Sequence, residues 1–455
     1  MTASAHEVAV TSLREAYAAL PPGAPVRLAK RTSNLFRFRD AGPAASAALD
    51  ASAFGSVLQV DPGSRTAWVG GMTTYEDLAN ATLRHRLMPL VVPQLKTITL
   101  GGAVTGLGIE STALRNGMPH ESVTELEILT GDGRVVRATA DNEHAALFRG
   151  FPNSYGTLGY ALSLTIELEP VQPFVHVRHF AFGTPEACMD AIAQAAAEGS
   201  LRGHRADFID GIAFSPDELY LTVGSFSDVA PWRSDYTGQQ IYYQSVRRDK
   251  EDFLTIRDYL WRWDTDWFWC SRAFGVQRPL VRRLWPRRYR RSDVYHKLVA
   301  LDQRYGLTAT MNARRQRPAR EAVTQDVEIS VERGAEFLRF FAGTVPMGPV
   351  WMCPLRLRSE QAWPLYPLKP GEVYVNFGFW GTAPLPAGRA DGYYNRLVED
   401  EVTKLGGHKS LYSTAFYTQD EFDGLYNGEA YRALKRAYDG GGRLLSLYDK
   451  CVRGR

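Results

Sequence analysis

Apolar and polar positions along this chain change period repeatedly, and each change marks an element. Val8–Leu20 predicts a helix that stops at Pro21-Pro22-Gly23, and Val26–Ala29 predicts a strand. Ser56–Val60 and Thr66–Val69 read as two strands around the turn residues Asp61-Pro-Gly63. Thr73-Thr-Tyr-Glu76 has the spacing of a capping box and opens a helix through Arg84. The prolines of Met88–Pro93 keep that segment extended. Val123–Arg137 is a pair of alternating runs around Asp132-Gly133, a hairpin signal. A short helix over Glu143–Arg149 and a strand over Tyr160–Leu168 follow, and Glu169-Pro170 to Pro173 marks a domain boundary. Beyond it, His176–Phe182 and Leu219–Val223 predict strands, Pro185–Ala197 an amphipathic helix, and Asp391–Lys404 and Asp420–Tyr438 helices. This mixed order points to an α+β protein without internal repeats.

Composition narrows the function classes. A chain of 455 residues predicts two or three domains with real cores. A formal charge of +3 carries no global nucleic-acid signature. Cys188, Cys270, Cys353 and Cys451 are scattered, which predicts neither a disulfide framework nor a metal site and fits a reducing compartment. No apolar run approaches the ~18 residues of a membrane span. The start, Met1-Thr-Ala-Ser-Ala-His-Glu, has no signal-peptide pattern, so a cytoplasmic protein is expected, soluble or peripheral to the membrane.

The chemistry concentrates in Val91–Leu168. At its centre stands Thr97-Ile-Thr-Leu-Gly-Gly-Ala-Val-Thr-Gly-Leu-Gly-Ile-Glu-Ser111. Its glycines permit close backbone approach to a ligand, and successive backbone N–H groups in a glycine-rich turn cup an anion. Thr97, Thr99, Thr105 and Ser111 add hydroxyls. Neither usual nucleotide fingerprint is present: G-x-x-x-x-G-K-[ST] is absent, and Ser111 stands where G-x-G-x-x-G needs its third glycine. The segment reads as a bed for a large anionic cofactor, or as a plain glycine-rich loop.

With Ser154-Tyr-Gly-Thr-Leu-Gly159 and Val26-Arg-Leu-Ala-Lys-Arg-Thr-Ser-Asn-Leu-Phe36 added, the chain resembles FAD-binding oxidoreductases of the vanillyl-alcohol-oxidase, or PCMH-type, fold. Within that fold it looks like the Δ24-sterol-reductase branch, a likeness that continues through Val350-Trp-Met-Cys-Pro354, Glu372–Gly378 and Ala415–Asp423. Bacterial members of the branch reduce methylene-branched fatty acyl chains (10-methylenestearyl phospholipid to the tuberculostearyl type), and the Ala/Arg/Gly-rich composition favours these. The implied architecture is α+β: a tail (1–14), a two-subdomain FAD-binding domain (15–170), a substrate or cap domain (171–430) and a C-terminal helical segment (431–455).

The resemblance implies that Arg31, Thr32, Ser33 and Asn34 meet the FAD pyrophosphate from a first loop, and that Gly101, Gly102 and Ala103 meet it from a second. Thr97, Thr99, Gly106, Gly108, Ile109, Glu110, Ser111, Ser154, Gly156, Thr157 and Gly159 complete the implied cofactor bed, with Asn153 and Tyr155 on the segment that closes over the flavin. No histidine lies between His6 and His85, where relatives tether flavin covalently, so dissociable FAD is expected; His120 is expected to be a polar loop residue. Glu110 reads either as an acceptor for loop N–H groups or as a proton donor. Reduction of an unactivated alkene requires a hydride from the flavin and a proton from an acid. Glu110, Tyr155, Asp326 and Tyr417 are the candidate acids, and NADPH is the expected reductant.

Trp261–Trp269 holds four tryptophans, and Arg278–Arg291 interleaves arginines with Leu, Val, Trp and Tyr. Arginines attract anionic headgroups and Trp and Tyr favour the headgroup level, so Trp285, Arg287, Arg288, Arg290 and Arg291 are expected at an anionic membrane surface. A solvated basic loop beside core aromatics is the plainer reading, and nucleic-acid binding is disfavoured. The expected partner is then a phospholipid acyl chain, with a lipid methyltransferase acting upstream. The competing functions are a Δ24-sterol-type reductase, an alcohol or sugar oxidase or dehydrogenase, and a non-catalytic flavin-binding or membrane-adaptor protein.

Overall fold

The computed structural model describes residues 3–30, 36, 47–306 and 318–454. Its N-terminal domain is built on a six-stranded sheet whose described pairings are all antiparallel. The strands run in the order Val57–Asp61, Thr66–Gly70, Gly159–Pro170, Val123–Thr130, Val135–Ala138, with Leu87–Pro89 paired to the far end of Gly159–Pro170. The two turns follow the sequence signals. Asp61 Oδ1 accepts from the Gly63 N–H at 2.8 Å, and Gly133 sits at φ +85° in the hairpin.

Alternation along Val123–Thr130 divides the domain. Leu126 and Ile128 face one side and join the large core, whereas Glu127 and Leu129 face the other. On that second side sits a smaller subdomain, the helix Ala3–Ala18 and the parallel pair Val26–Leu28/Ala47–Leu49. The helix begins inside the segment expected to be a tail. His6 is buried there, its Nε2 lying 2.6 Å from Glu127 Oε2, while Ser163 donates to the same oxygen at 2.9 Å. The next helix, Tyr75–Leu83, is capped by Thr74 rather than Thr73: Thr74 Oγ1 accepts from the Asp77 N–H at 3.1 Å.

The second domain is an eight-stranded antiparallel sheet. Its order is Glu251–Thr255, Phe174–Phe182, Glu218–Ser227, Phe208–Ser215, Val350–Leu355, Tyr374–Pro384, Arg320–Ser330, His408–Lys409. Helices Pro185–Glu198, Val331–Thr344 and Tyr393–Lys404 cover one face, where Val323, Val327, Ile329, Phe377 and Phe379 meet Phe337 and Phe341. The register puts the intervening residues on the opposite face: Ile212 beside Trp351, Trp351 beside Gly378, and Gly378 beside Asp326. That face turns toward the N-terminal domain.

The helix expected over Asp420–Tyr438 is two helices, Gln419–Leu425 and Gly428–Tyr438. Asn427 breaks them at φ +50° and caps the second, its Oδ1 accepting from the Ala430 N–H at 3.2 Å. The C-terminal segment does not stand apart. Tyr431 donates to Thr157 Oγ1 at 3.0 Å, Lys435 to the Thr157 carbonyl at 2.7 Å, and the Val26 N–H to the Arg443 carbonyl at 2.8 Å. It closes the N-terminal domain from behind.

Candidate active site

A cavity of about 760 Å³ lies between the glycine segment and the free face of the second sheet. This is the size range of small-molecule and cofactor sites. The glycine segment is not an open loop. Leu100–Gly106 is a short helix capped by Thr99 and ended by Leu107 at φ +58°. Glycine is a poor helix former, so its presence here has another cause. A Cβ on Gly101 would stand 2.8 Å from the Gly71 carbonyl oxygen, so the two backbones touch. This contact brings the helix against the sheet and leaves its other side open to the cavity.

The segment 153–157 forms an adjoining wall. Asn153, Tyr155 and Gly156 all adopt positive φ, and Tyr155 donates its hydroxyl to the Gly106 carbonyl at 2.9 Å. Lys450 donates to the Tyr155 carbonyl at 2.5 Å, and Lys30 to Thr99 Oγ1 at 3.3 Å. Arg27, Lys30 and Lys450 all line this end, which is therefore cationic.

The other end is aromatic and acidic. Trp351 and Trp380 project from the sheet, and Trp267 and Phe268 come from a loop in which both hold positive φ, 44° and 59°. Asp326 lies among them. Gly378, its cross-strand neighbour, makes the room: a Cβ there would stand 2.4 Å from Asp326 Oδ1. Asn376 donates to Asp326 Oδ1 at 2.9 Å, the Tyr412 hydroxyl bonds the same carboxyl, and Trp380 Nε1 donates to Tyr412 Oη at 2.8 Å. Asp326 is exposed to the cavity and otherwise enclosed by protein. Burial pushes its carboxyl up to about 7, so it holds a proton near neutrality. Glu328, two residues along the strand and bonded by Tyr366 and Ser410, is pushed up to about 8 by burial.

Of the residues expected in the cofactor bed, Thr99, Gly101, Gly102, Ala103, Gly106, Gly108, Ile109, Gly156, Thr157 and Gly159 line the cavity, as does Tyr155. Arg31, Thr32, Ser33 and Asn34 lie outside the described residues. Thr97, Glu110, Ser111 and Ser154 are behind the wall. Ser154 donates to the Phe151 carbonyl at 2.6 Å. Glu110 Oε1 accepts from Ser111 Oγ at 2.6 Å and from Arg262 Nη2 at 3.1 Å, and the Ser111 backbone N–H also bonds this carboxylate. The same guanidinium nitrogen donates to Asp210 Oδ2 at 2.8 Å. Burial raises the Glu110 carboxyl, with Arg262 opposing. Tyr417 is buried away from the cavity wall. His120 is a core residue instead of a polar loop residue: its ring packs edge-on to Trp363 at 4.4 Å, and burial pushes it down to about 3.

Of the four candidate acids, then, Asp326 and Tyr155 reach the cavity, and the Tyr155 hydroxyl is engaged by Gly106. Sequence reading missed Tyr412, Lys30, Lys450 and Gln94. Alternation along Arg320–Ser330 carried the signal for Asp326, but Tyr412 lies in an irregular segment with no period to read.

The tryptophan stretch is core. Trp261, Trp263, Trp267 and Trp269 are all buried, so none meets a membrane. The arginine stretch is split. Arg290 is buried, donating to the Thr237 and Gly238 carbonyls at 2.5 and 2.7 Å. Arg291 pairs with Glu76 at 2.8 Å and Asp293 at 2.5 Å, and Trp285 is half-buried. Arg287 and Arg288 are exposed.

The residues present fit a dinucleotide-sized anion. Gln94 lines the cavity with its buried amide nitrogen unsatisfied. A Cβ on Gly102 would reach within 3.6 Å of Lys30 Nζ and 2.8 Å of Thr99 Oγ1, so that position is kept clear at the cationic end. Gly102→Val is expected to yield folded but colourless protein, checked by flavin absorbance alongside circular dichroism; a fully yellow variant refutes this placement.

Comparison with known proteins agrees. Residues 5–139 match the model of the FAD binding domain. The Delta(24)-sterol reductase of Mus musculus is 26% identical over 378 residues, 80% of this chain and 69% of that protein. The Delta(24)-sterol reductase of Arabidopsis thaliana is 23% identical over 444 residues, 90% of this chain and 77% of that protein. Cytokinin dehydrogenase 5 of Arabidopsis thaliana is 32% identical over 102 residues, but this is 22% of the chain and 19% of that protein. Residues 5–139 form an FAD-binding domain, in a chain homologous to Delta(24)-sterol reductases.

Proposed function

We propose that this protein is an FAD-dependent reductase of a carbon–carbon double bond in a lipid, using NADPH and dissociable FAD. The observation that carries this reading is the place of the Asp326 carboxyl in an aromatic wall facing the flavin bed, where burial pushes it up to about 7. An alcohol oxidase would need a base to take a proton; alkene reduction needs an acid to give one. When bound, FAD would supply the hydride chemistry, with the nicotinamide as the source of its electrons. Asp326 supplies the proton to one alkene carbon and is left as carboxylate, which Asn376 and the Tyr412 hydroxyl stabilise by hydrogen bonds. Trp351, Trp380, Trp267 and Phe268 exclude water and hold an apolar chain. The cationic end, with Arg27, Lys30 and Lys450, takes the pyrophosphate. Dissociable FAD is supported by the cavity wall, which contains neither histidine nor cysteine among its described residues.

Two substrates fit the reading. The relatives' name favours a sterol side chain. A methylene-branched fatty acyl chain is favoured by the chain's composition and by the proposed membrane-facing segment described below. The deciding experiment is anaerobic: reduce the yellow protein with NADPH, then add phospholipid bearing a methylene-branched acyl chain or, separately, a Δ24-sterol. Flavin reoxidation with a gain of two hydrogens in one of the two identifies the substrate. Reoxidation by neither, together with flavin reduction by an alcohol and turnover with oxygen, moves the protein to the oxidase reading.

A further inference from the structure

Arg278–Arg291 carries seven arginines and no Asp or Glu. The fold divides their work. Arg282 is buried and makes a bidentate pair with Asp266, at 2.7 and 3.0 Å, while donating to the Gly238 carbonyl at 2.7 Å. Together with buried Arg290 it rivets the segment to the protein body. What remains outward is a short helix, Pro279–Leu284, and the turn after it. Leu280 is 77% exposed and Leu284 is 83% exposed. Four residues apart, they share one side of the helix. Arg283, Arg287 and Arg288 flank them in solvent, with half-exposed Tyr289 at the end of the turn. Arg287 is paired with the surface carboxylate of Asp235 at 2.9 Å, an exchangeable partner at an exposed site.

We propose that this surface docks on an anionic lipid bilayer: Leu280, Leu284 and Tyr289 enter the interfacial layer, and Arg283, Arg287 and Arg288 bind lipid phosphates. Neighbouring apolar side chains this exposed are costly in water and suit the acyl boundary, while the exposed arginines beside them, of which Arg287 meets one surface carboxylate, complement a negative surface. The anchor also gives the docking a destination. Asp266, which Arg282 holds, directly precedes Trp267 and Phe268 of the cavity wall. The use of this surface in lipid delivery rests on the reductase reading above.

The test uses FAD-loaded full-length protein with vesicles of phosphatidylglycerol and phosphatidylcholine, or of phosphatidylcholine alone. Sedimentation with the anionic vesicles only, weakened by salt, is expected. R283S/R287S/R288S is expected to lower partitioning on the order of a hundredfold, taking ~1 kcal/mol per basic residue. L280S/L284S is expected to lower it with the charge intact. No binding to anionic vesicles, or wild-type binding by both variants, overturns the proposal. So does L280S/L284S converting a dimer to a monomer in solution, which assigns the patch to a second copy. Reduction of detergent-dispersed lipid is expected to be unchanged in both variants. Failure of docking therefore leaves the reductase reading standing, and failure of that reading leaves the vesicle result intact.

Discussion

Asp326→Asn is expected to leave a yellow protein that NADPH still reduces, while its reoxidation by the lipid alkene slows by roughly 10²–10⁴-fold, the usual worth of a positioned general acid. Stopped-flow measurement of the two half-reactions separates the effects, and an unchanged oxidative half-reaction removes Asp326 from the chemistry. The wild-type oxidative half-reaction is expected to fall as pH rises through about 7, because deprotonation of Asp326 removes the donor. In Asp326→Asn that limb disappears. The groups facing Asp326 are Asn376, Tyr412 and, along the strand, Glu328, whose carboxyl burial pushes up to about 8. Stability falls with pH in the same direction. A carboxyl whose folded pKa lies above its unfolded value binds more protons in the folded state, so stability is lost as pH rises between about 4 and 7 for Asp326 and on to about 8 for Glu328. The asparagine variant should therefore be more stable than wild type at pH 8 by urea denaturation, while being the poorer enzyme.

The second large effect lies behind the cavity wall. Arg262→Met strands two buried carboxylates, Glu110 on the glycine segment and Asp210 on the second sheet, and should destabilise the protein by about 3–5 kcal/mol. Asp210 Oδ2 also accepts from Trp263 Nε1 at 2.9 Å and Trp351 Nε1 at 3.2 Å, so the change reaches the aromatic wall. Chemical denaturation measures the loss. The triple change Arg262→Met/Glu110→Gln/Asp210→Asn should recover a large part of it, because it removes the uncompensated charges along with the cation. No recovery would mean that the guanidinium acts by packing, stacked 3.9 Å from the Tyr259 ring, rather than by charge.

Where the period was regular, the fold could be read from sequence. The hairpin at Asp132-Gly133, the strands on either side of Asp61-Pro-Gly63 and the helix Pro185–Glu198 stand where alternation and turn chemistry put them. The glycine segment was legible as a cofactor bed but not as a helix, since glycine's low helix propensity hides an element held by tertiary contact with Gly71. The tryptophans of 261–269 misled because composition cannot distinguish an aromatic that meets lipid from one that meets Asp210 or Trp380. Arg290 and Arg291 misled for the same reason: a run of like charge reads as solvated until the carbonyls and carboxylates that absorb it are in view. Asp326 carried only half its meaning in sequence. It stood among the candidate acids, but its place on the strand Arg320–Ser330 and its cavity, formed by Gly378, Trp380 and Tyr412 from other elements, were not read.

The return of residues 431–454 to the N-terminal domain sets an order of assembly during synthesis. The strand beginning at Val26 bonds to Arg443, and the wall around Tyr155 and Thr157 is held by Lys450, Tyr431 and Lys435. At ~5–20 residues per second, more than 400 residues separate the first of these partners from the last, a wait on the order of tens of seconds. The segment around Val26 thus completes its pocket only after residues 431–450 have been made, and loading of the flavin waits on that closure.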